Sequence, residues 1–264
     1  SSNVAVLLNI SQDHLDRHRT LKNYKKIKQR IFLNTEIGLV GNKSLVPTTR
    51  NEEGRFLNFE DLYKNYESSL SNLKTNKWPD YETSNINASI AIYQSLREVL
   101  GLIEPKEDYL SKKEYENCLE KLKGFKRLPH RYEILGSRRG LTFINDSKAT
   151  NISSTIRALE SAKKEFGSNK VLLICGGDLK KQDISRFLEG PGDCLKRSFI
   201  IGKDSSVLQE TLSKLSKSEE VSSLEEAVKR ALASYAEGDV LLLSPGCAST
   251  DMFSSYEERG NLFK

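Results

Sequence analysis

At 264 residues the chain can hold one large or two ordinary domains, each with a real core. Apolar residues make up 37% and charged residues 29%, and no apolar run approaches a membrane span, so a soluble, cytoplasmic protein with no membrane contact is expected. The formal charge of +5 favours anionic ligands such as nucleotides, but a single Trp78 and scattered lysines make no nucleic-acid footprint. The four cysteines form no CxxC pair; Cys175 and Cys247 sit at strand ends and read as reduced, buried thiols.

Val4–Leu8 reads as a strand that delivers His14 and Asp16 at its carboxyl end. Imidazole and carboxylate together suit a divalent ion, although His14 taken alone reads more readily as a structural hydrogen-bonder than as a ligand. A helix over Leu21–Leu33 follows, with Leu21, Tyr24 and Ile31 as its apolar stripe and Lys28 on that stripe. A lysine facing a packed side must be paired, neutralised or modified, unless its stem snorkels to water. Ile37–Val40 and Leu45–Val46 read as short strands, Asn51–Lys77 as a surface insertion with a weak helical patch, and Asn85–Leu100 as a helix. Asn87 falls in the first turn of that helix, where its amide either meets a base edge or belongs to the cap.

A charged helix over Lys112–Leu122 ends at Gly124, and Pro129 stops any continuation. The domain boundary is placed here, giving residues 1–127 and 128–264. Arg131 at this hinge is either a phosphate clamp or a plain linker residue. A hairpin, Tyr132–Leu135 and Leu141–Ile144, then feeds the run Asn145-Asp146-Ser147-Lys148-Ala149-Thr150-Asn151 and a helix capped by Thr150 or Asn151. Further on, Val171–Cys175 leads into Gly176-Gly177-Asp178-Leu179-Lys180, and Val240–Leu243 into Ser244-Pro245-Gly246-Cys247-Ala248-Ser249. Strands alternating with helices argue an α/β fold, with a doubly wound, mostly parallel, Rossmann-like sheet in the second half. Three polar strand ends on one sheet edge are where such a fold binds ligands. Neither GxGxxG nor GxxxxGK[ST] occurs, so an ordinary dinucleotide enzyme is not expected.

Asn9–His14 with Asp16-Arg17, Lys28 before Arg30-Ile31-Phe32, Leu128–Glu133, Asn145–Asn151, Gly176-Gly177-Asp178 and Leu243–Ser249 through Gly260 together resemble the Mur ligases. The resemblance covers nearly the whole chain. The Asn145–Asn151 and Ser244–Ser249 blocks are most similar to the member that adds D-glutamate to UDP-N-acetylmuramoyl-L-alanine, in peptidoglycan precursor synthesis. It implies the later part of a central ATPase-type α/β domain followed by a C-terminal amino-acid- and nucleotide-binding domain. It also implies an ATP- and Mg²⁺-dependent amide ligase working through an acyl phosphate, with UDP-N-acetylmuramoyl-L-alanine, D-glutamate and ATP as partners, acting as a monomer.

By the same resemblance, His14 is a metal ligand beside the reacting carboxylate, and Lys28 is the lysine that the family carbamylates to help hold a second Mg²⁺. Asn87 meets adenine, Arg131 the phosphates, and Asp146 and Lys148 the ribose-phosphate side. Thr150, Lys180, Ser249 and Tyr256 hold D-glutamate; the family often has Phe at the last position, so a backbone contact is the safer transfer there. The family's N-terminal domain, its lysine-bearing phosphate loop and a Glu metal ligand have no counterpart in these residues. Alone, therefore, the chain is expected to release no phosphate from ATP when mixed with both substrates. Two other readings are a non-catalytic nucleotide or amino-acid binding module, and a folylpolyglutamate synthase-like ligase.

Overall fold

The computed structural model describes residues 3–11, 15–48, 54–66, 69, 80–104, 110–122 and 128–264. By contact they form two compact units, the first over residues 3–11 and 18–122 and the second over 15–17 and 128–264.

In the first unit, β1 (Val4–Leu7), β2 (Ile37–Val40) and β3 (Arg55–Asn58) make a parallel sheet in chain order. After β1 comes the short helix α1 (Leu15–His18), whose first three residues group with the second unit, and then α2 (Leu21–Gln29), which Thr20 caps through Asn23 N–H. The expected strand at Leu45–Val46 is instead the end of a 3₁₀ turn, Lys43–Leu45, and the third strand comes from within the expected surface insertion. That stretch also supplies core. Phe59 and Tyr63 on α3 (Phe59–Tyr63) lie four apart and are fully buried against α4 (Asp80–Val99) and α5 (Lys112–Leu122). The part of the insertion outside 54–66 and Ser69 lies outside the described residues. Arg55 on β3 reaches Glu98 on α4 at 2.5 and 2.7 Å, a forked pair that fixes the helix to the sheet edge.

The second unit is a six-stranded sheet ordered β4-β5-β9-β6-β7-β8. Its strands are β4 (Glu133–Arg138), β5 (Leu141–Asn145), β6 (Val171–Gly176), β7 (Leu195–Ile201), β8 (Lys217–Glu220) and β9 (Val240–Leu243). Only β4 runs antiparallel to its neighbour; the other pairings are parallel. Leu172, Ile174, Leu241 and Leu243 are wholly buried, as a sheet covered on both faces demands. The covering helices are α6 (Ile152–Phe166), α7 (Ser205–Leu212), α8 (Leu224–Leu232) and α9 (Tyr256–Phe263). Register puts Asn145, Leu243 and Ile174 level across β5, β9 and β6, so the loops that follow leave the sheet side by side.

Asn151 caps α6, its Oδ1 accepting Ser154 N–H at 2.9 Å. Asn151→Ala should lower the unfolding free energy by about 1 kcal/mol, read as a shift in the urea midpoint with unchanged slope. No helix among the described residues is long and apolar enough to cross a membrane.

Candidate active site

Three loops meet at the carboxyl rim of β5, β9 and β6. Gly246 N–H donates to Ala149 O at 2.9 Å, joining the loop after β9 to the loop after β5. Asp178 and Ala248 exchange both backbone bonds, at 3.1 and 3.0 Å, joining the loop after β6 to the loop after β9. Gln182 closes the triangle: its Oε1 accepts Ile152 N–H at 3.0 Å and its Nε2 donates to Gly246 O at 3.2 Å. The close approach explains the paired glycines. Gly176 and Gly177 have φ +117 and +131, and a Cβ would overlap Ile201 O at the first and Ala248 O at the second.

Asp146 starts the first loop. It is 7% exposed, and both carboxylate oxygens are engaged: Oδ1 accepts Tyr132 N–H at 3.0 Å and Oδ2 accepts the Ser244 hydroxyl at 2.8 Å. Burial pushes its carboxyl up to about 7, against the opposing pull of those two bonds and of Arg131. Arg131 itself is exposed. The Lys148 ammonium stands 3.7 Å from the centroid of the Tyr256 ring, a cation–π contact between the first loop and the start of α9. Ser147 Oγ donates to Tyr256 O at 2.8 Å, so that carbonyl already has a partner.

Thr150 is half-buried further along the first loop; on the other two corners of the rim Lys180 is half-buried and Ser249 is 5% exposed. Lys180 and Lys181 both adopt left-handed backbone (φ +48 and +61), held by Asp178 Oδ1 accepting Lys180 N–H at 2.8 Å. That bond, and then Lys203, keep the Asp178 carboxyl below the usual carboxylate range. Cys175 and Cys247 lie fully buried beneath the rim, where desolvation drives both thiols upward; they are packing thiols without thiolate character.

The remaining expected site residues belong elsewhere. His14 lies outside the described residues. Lys28 is on the exposed face of α2, its ammonium 5.4 Å from the Tyr24 ring centroid, which corrects the expectation of a packed lysine. The physical reason is the helix's rotation. Lys25 and Gln29 bond the carbonyls of Ser44 and Leu45 and Phe32 is buried, while Leu21 and Ile31 are 39% and 47% exposed.

Asn87 also departs from expectation. Its helix starts at Asp80, directly after Pro79, so Asn87 sits in the helix interior and not in the first turn. It is 2% exposed, accepts the Tyr115 hydroxyl at 2.7 Å and donates to Glu60 at 3.3 Å. Those bonds offset the poor helical propensity of Asn, and they leave the amide engaged within the core of the first unit.

Two further residues, to which the sequence alone assigns no role, hold the rim. Arg259, on α9, is 1% exposed and donates to Ser147 Oγ at 3.0 Å, Ser147 O at 2.9 Å and Cys247 O at 3.3 Å, so one guanidinium spans two loops. His130 is buried beside Asn145 and Gly260. Their place in the Leu128–Glu133 and Tyr256–Gly260 runs was the only signal.

The chain is similar to known proteins. The Mur ligase middle domain matches residues 1–59, and the glutamate ligase domain of the Mur ligases matches residues 130–247. The chain belongs to the Mur ligase family. The UDP-N-acetylmuramoylalanine–D-glutamate ligase of Thermoanaerobacter sp. (strain X514) is 33% identical over 99% of this chain and 59% of its own length. The ligase of the same name from Acinetobacter baylyi is 32% identical over 100% of this chain and 60% of its own length. The chain thus spans about three-fifths of the length of these Mur ligases. Among solved structures, E. coli FolC in complex with ADP matches with a TM-score of 0.62 at 17% identity, over 98% of this chain and 61% of that one. MurF from Thermotoga maritima in complex with ADP gives 0.52 at 16% identity, over 91% and 58%. At those identities the structural likeness speaks to fold, and the fold is that of the Mur ligase and FolC type.

Proposed function

We propose that this chain forms the later part of an ATP-dependent amide ligase that joins D-glutamate to UDP-N-acetylmuramoyl-L-alanine. The observation that carries the reading is the cross-tied rim, where the Asn145–Asn151, Gly176–Lys180 and Ser244–Ser249 loops gather Lys148, Thr150, Lys180, Ser249 and Tyr256 on one edge of one sheet. Cations and hydroxyls there, at the start of a 15-residue helix, suit a small acidic ligand.

In this reading Lys180 and Thr150 hold carboxylate oxygens of D-glutamate, Ser249 contributes its backbone or hydroxyl, and the Lys148–Tyr256 pair flanks the ligand. Arg131 turns its guanidinium to the phosphates. Asp146, with both oxygens engaged, acts as a positioning residue for Tyr132 and Ser244. ATP, when bound, supplies the phosphoryl group that makes the muramoyl-alanine carboxylate an acyl phosphate. The rim then holds the D-glutamate amine for attack on that carbonyl carbon, and phosphate leaves with the C–O bond as the amide forms. Fixed positive charge and orientation carry most of such catalysis. For Mg²⁺, the described residues hold no group of three or more His, Cys, Asp or Glu side chains arranged as ligands. His14 and a carbamylated Lys28 remain the family-based assignment for that ion, and an adenine contact at Asn87 requires Tyr115 and Glu60 to release its amide.

Calorimetric titration of the chain with D-glutamate and L-glutamate tests the reading. Saturable binding of the D enantiomer, at least about tenfold tighter than the L, is the expected result. Equal or absent binding of both would count against it and favour a module that kept the fold without the ligand.

A further inference from the structure

Arg131 sits between two residues in left-handed backbone, His130 at φ +63 and Tyr132 at φ +45. Such conformations persist in non-glycine residues only where surroundings over-determine them. The surroundings here are specific. His130 N–H donates to Glu133 Oε2 at 2.9 Å, His130 O accepts Lys148 N–H at 3.0 Å, and Tyr132 N–H donates to Asp146 Oδ1 at 3.0 Å. The backbone on either side of Arg131 is therefore bonded to the Asp146–Lys148 turn.

The His130 side chain extends this lock to α9. Its ring lies on Gly260, where any Cβ would overlap Nδ1, and meets the Tyr256 ring edge-on at 6.1 Å between centroids and 80° between planes. Asn145 Nδ2 is 3.1 Å from His130 Nδ1 and donates to Gly260 O at 2.9 Å, while Asn145 Oδ1 accepts Ser147 N–H at 3.2 Å. Gly260 O can only accept and Ser147 N–H can only donate, so the orientation of the Asn145 amide is fixed by its neighbours. Nδ1 of His130 must then be the acceptor, and the ring proton sits on Nε2.

We propose that His130 is a positioning residue that links the two sides of the rim: its imidazole, held as the Nε2–H tautomer between Asn145 and Gly260, sets Arg131 and Tyr256 relative to each other. Within the reading above, on which this rests, the phosphate-facing arginine and the amino-acid-facing aromatic move as one body. Substituents at His130 or Gly260 thus alter ligand binding without touching the ligand.

The test uses the whole chain labelled with ¹⁵N and three variants. His130→Gly keeps the left-handed backbone and removes the ring; His130→Asn tolerates the same backbone and offers Oδ1 where Nδ1 stood; Gly260→Ala displaces the ring from below. The expected results are an Nε2–H tautomer for His130 in the imidazole ¹⁵N spectrum, and joint shifts of the Arg131 Nε–H and Tyr256 ring resonances in His130→Gly and Gly260→Ala. Those resonances should return towards wild type in His130→Asn. D-glutamate affinity should fall about tenfold in His130→Gly and recover to within about threefold in His130→Asn. An Nδ1–H tautomer, or Arg131 and Tyr256 resonances that do not move in His130→Gly, would overturn the proposal. A wild-type chain that ignores D-glutamate would overturn the ligand reading alone, and the resonances would still decide the role of His130.

Discussion

Arg259→Met should cost about 2–4 kcal/mol of stability and abolish measurable D-glutamate binding, the largest loss expected from any single rim substitution. Two opposing effects set the figure. Desolvation brings the Arg259 guanidinium down to about 10, which still leaves it charged at neutral pH but marks a real cost of burial. Methionine removes that cost. It also removes every donor to Ser147 Oγ, Ser147 O and Cys247 O, and the two carbonyls are then buried without it. Charge-assisted bonds of this kind are worth about 1.5–3 kcal/mol each, so their sum outweighs the relief. Arg259→Lys should not rescue, because an ammonium lacks the planar fork that reaches both loops at once. Urea unfolding gives the stability and calorimetry the binding; a wild-type midpoint in Arg259→Met would show that the loops hold without the guanidinium.

The same residue shows where sequence reading stops. In an eight-residue helix capped by Ser255 and carrying Glu257 and Glu258, an arginine reads as one more surface charge; only the fold reveals that Ser147 and Cys247 converge on it. The continuous apolar runs Val171–Cys175 and Val240–Leu243 were legible, because parallel strands buried on both faces need no alternation. So were the polar strand ends, since they follow directly from those runs. By contrast β8, Lys-Ser-Glu-Glu, is an edge strand whose pairing with β7 comes from backbone bonds and leaves no apolar pattern to detect. β3 escaped for a similar reason: its Arg55 and Asn58 flank only two apolar residues, and it lies in a polar stretch. For Lys28 the spacing leaves a packed and a water-facing ammonium open, and the second holds because Lys25 and Gln29, not the Leu21–Tyr24–Ile31 stripe, meet the neighbouring turn. The left-handed pair around Arg131 carries no glycine to announce it.

Between about pH 5 and about pH 7, above the range in which the lowered carboxyls of Glu226, Glu257 and Glu258 act in the opposite sense, the stability of the second unit should fall as pH rises, and Asp146 is the reason. Its folded-state carboxyl lies near 7 and its unfolded value near 3.8. In that window the native state holds a proton that the unfolded chain has lost, so the unfolding free energy drops by about 1.4 kcal/mol per pH unit. Below the unfolded value both states are protonated and this contribution is fully present; above the folded value both are ionised and it is gone. A protonated Asp146 can donate from Oδ2 to Ser244 Oγ while Oδ1 still accepts Tyr132 N–H, so the neutral form leaves neither oxygen stranded. Asp146→Asn reproduces that neutral pattern, with Oδ1 towards Tyr132 and Nδ2 towards Ser244. It should remove the slope and make the protein more stable than wild type at pH 8, by up to about 4 kcal/mol. Activity should move the opposite way in the complete ligase, because the amide lacks the negative charge that the carboxylate sets against Arg131. Urea titrations of both proteins at pH 5, 6, 7 and 8 decide the first part. A slope in Asp146→Asn equal to that of wild type would assign the pH dependence to some other group.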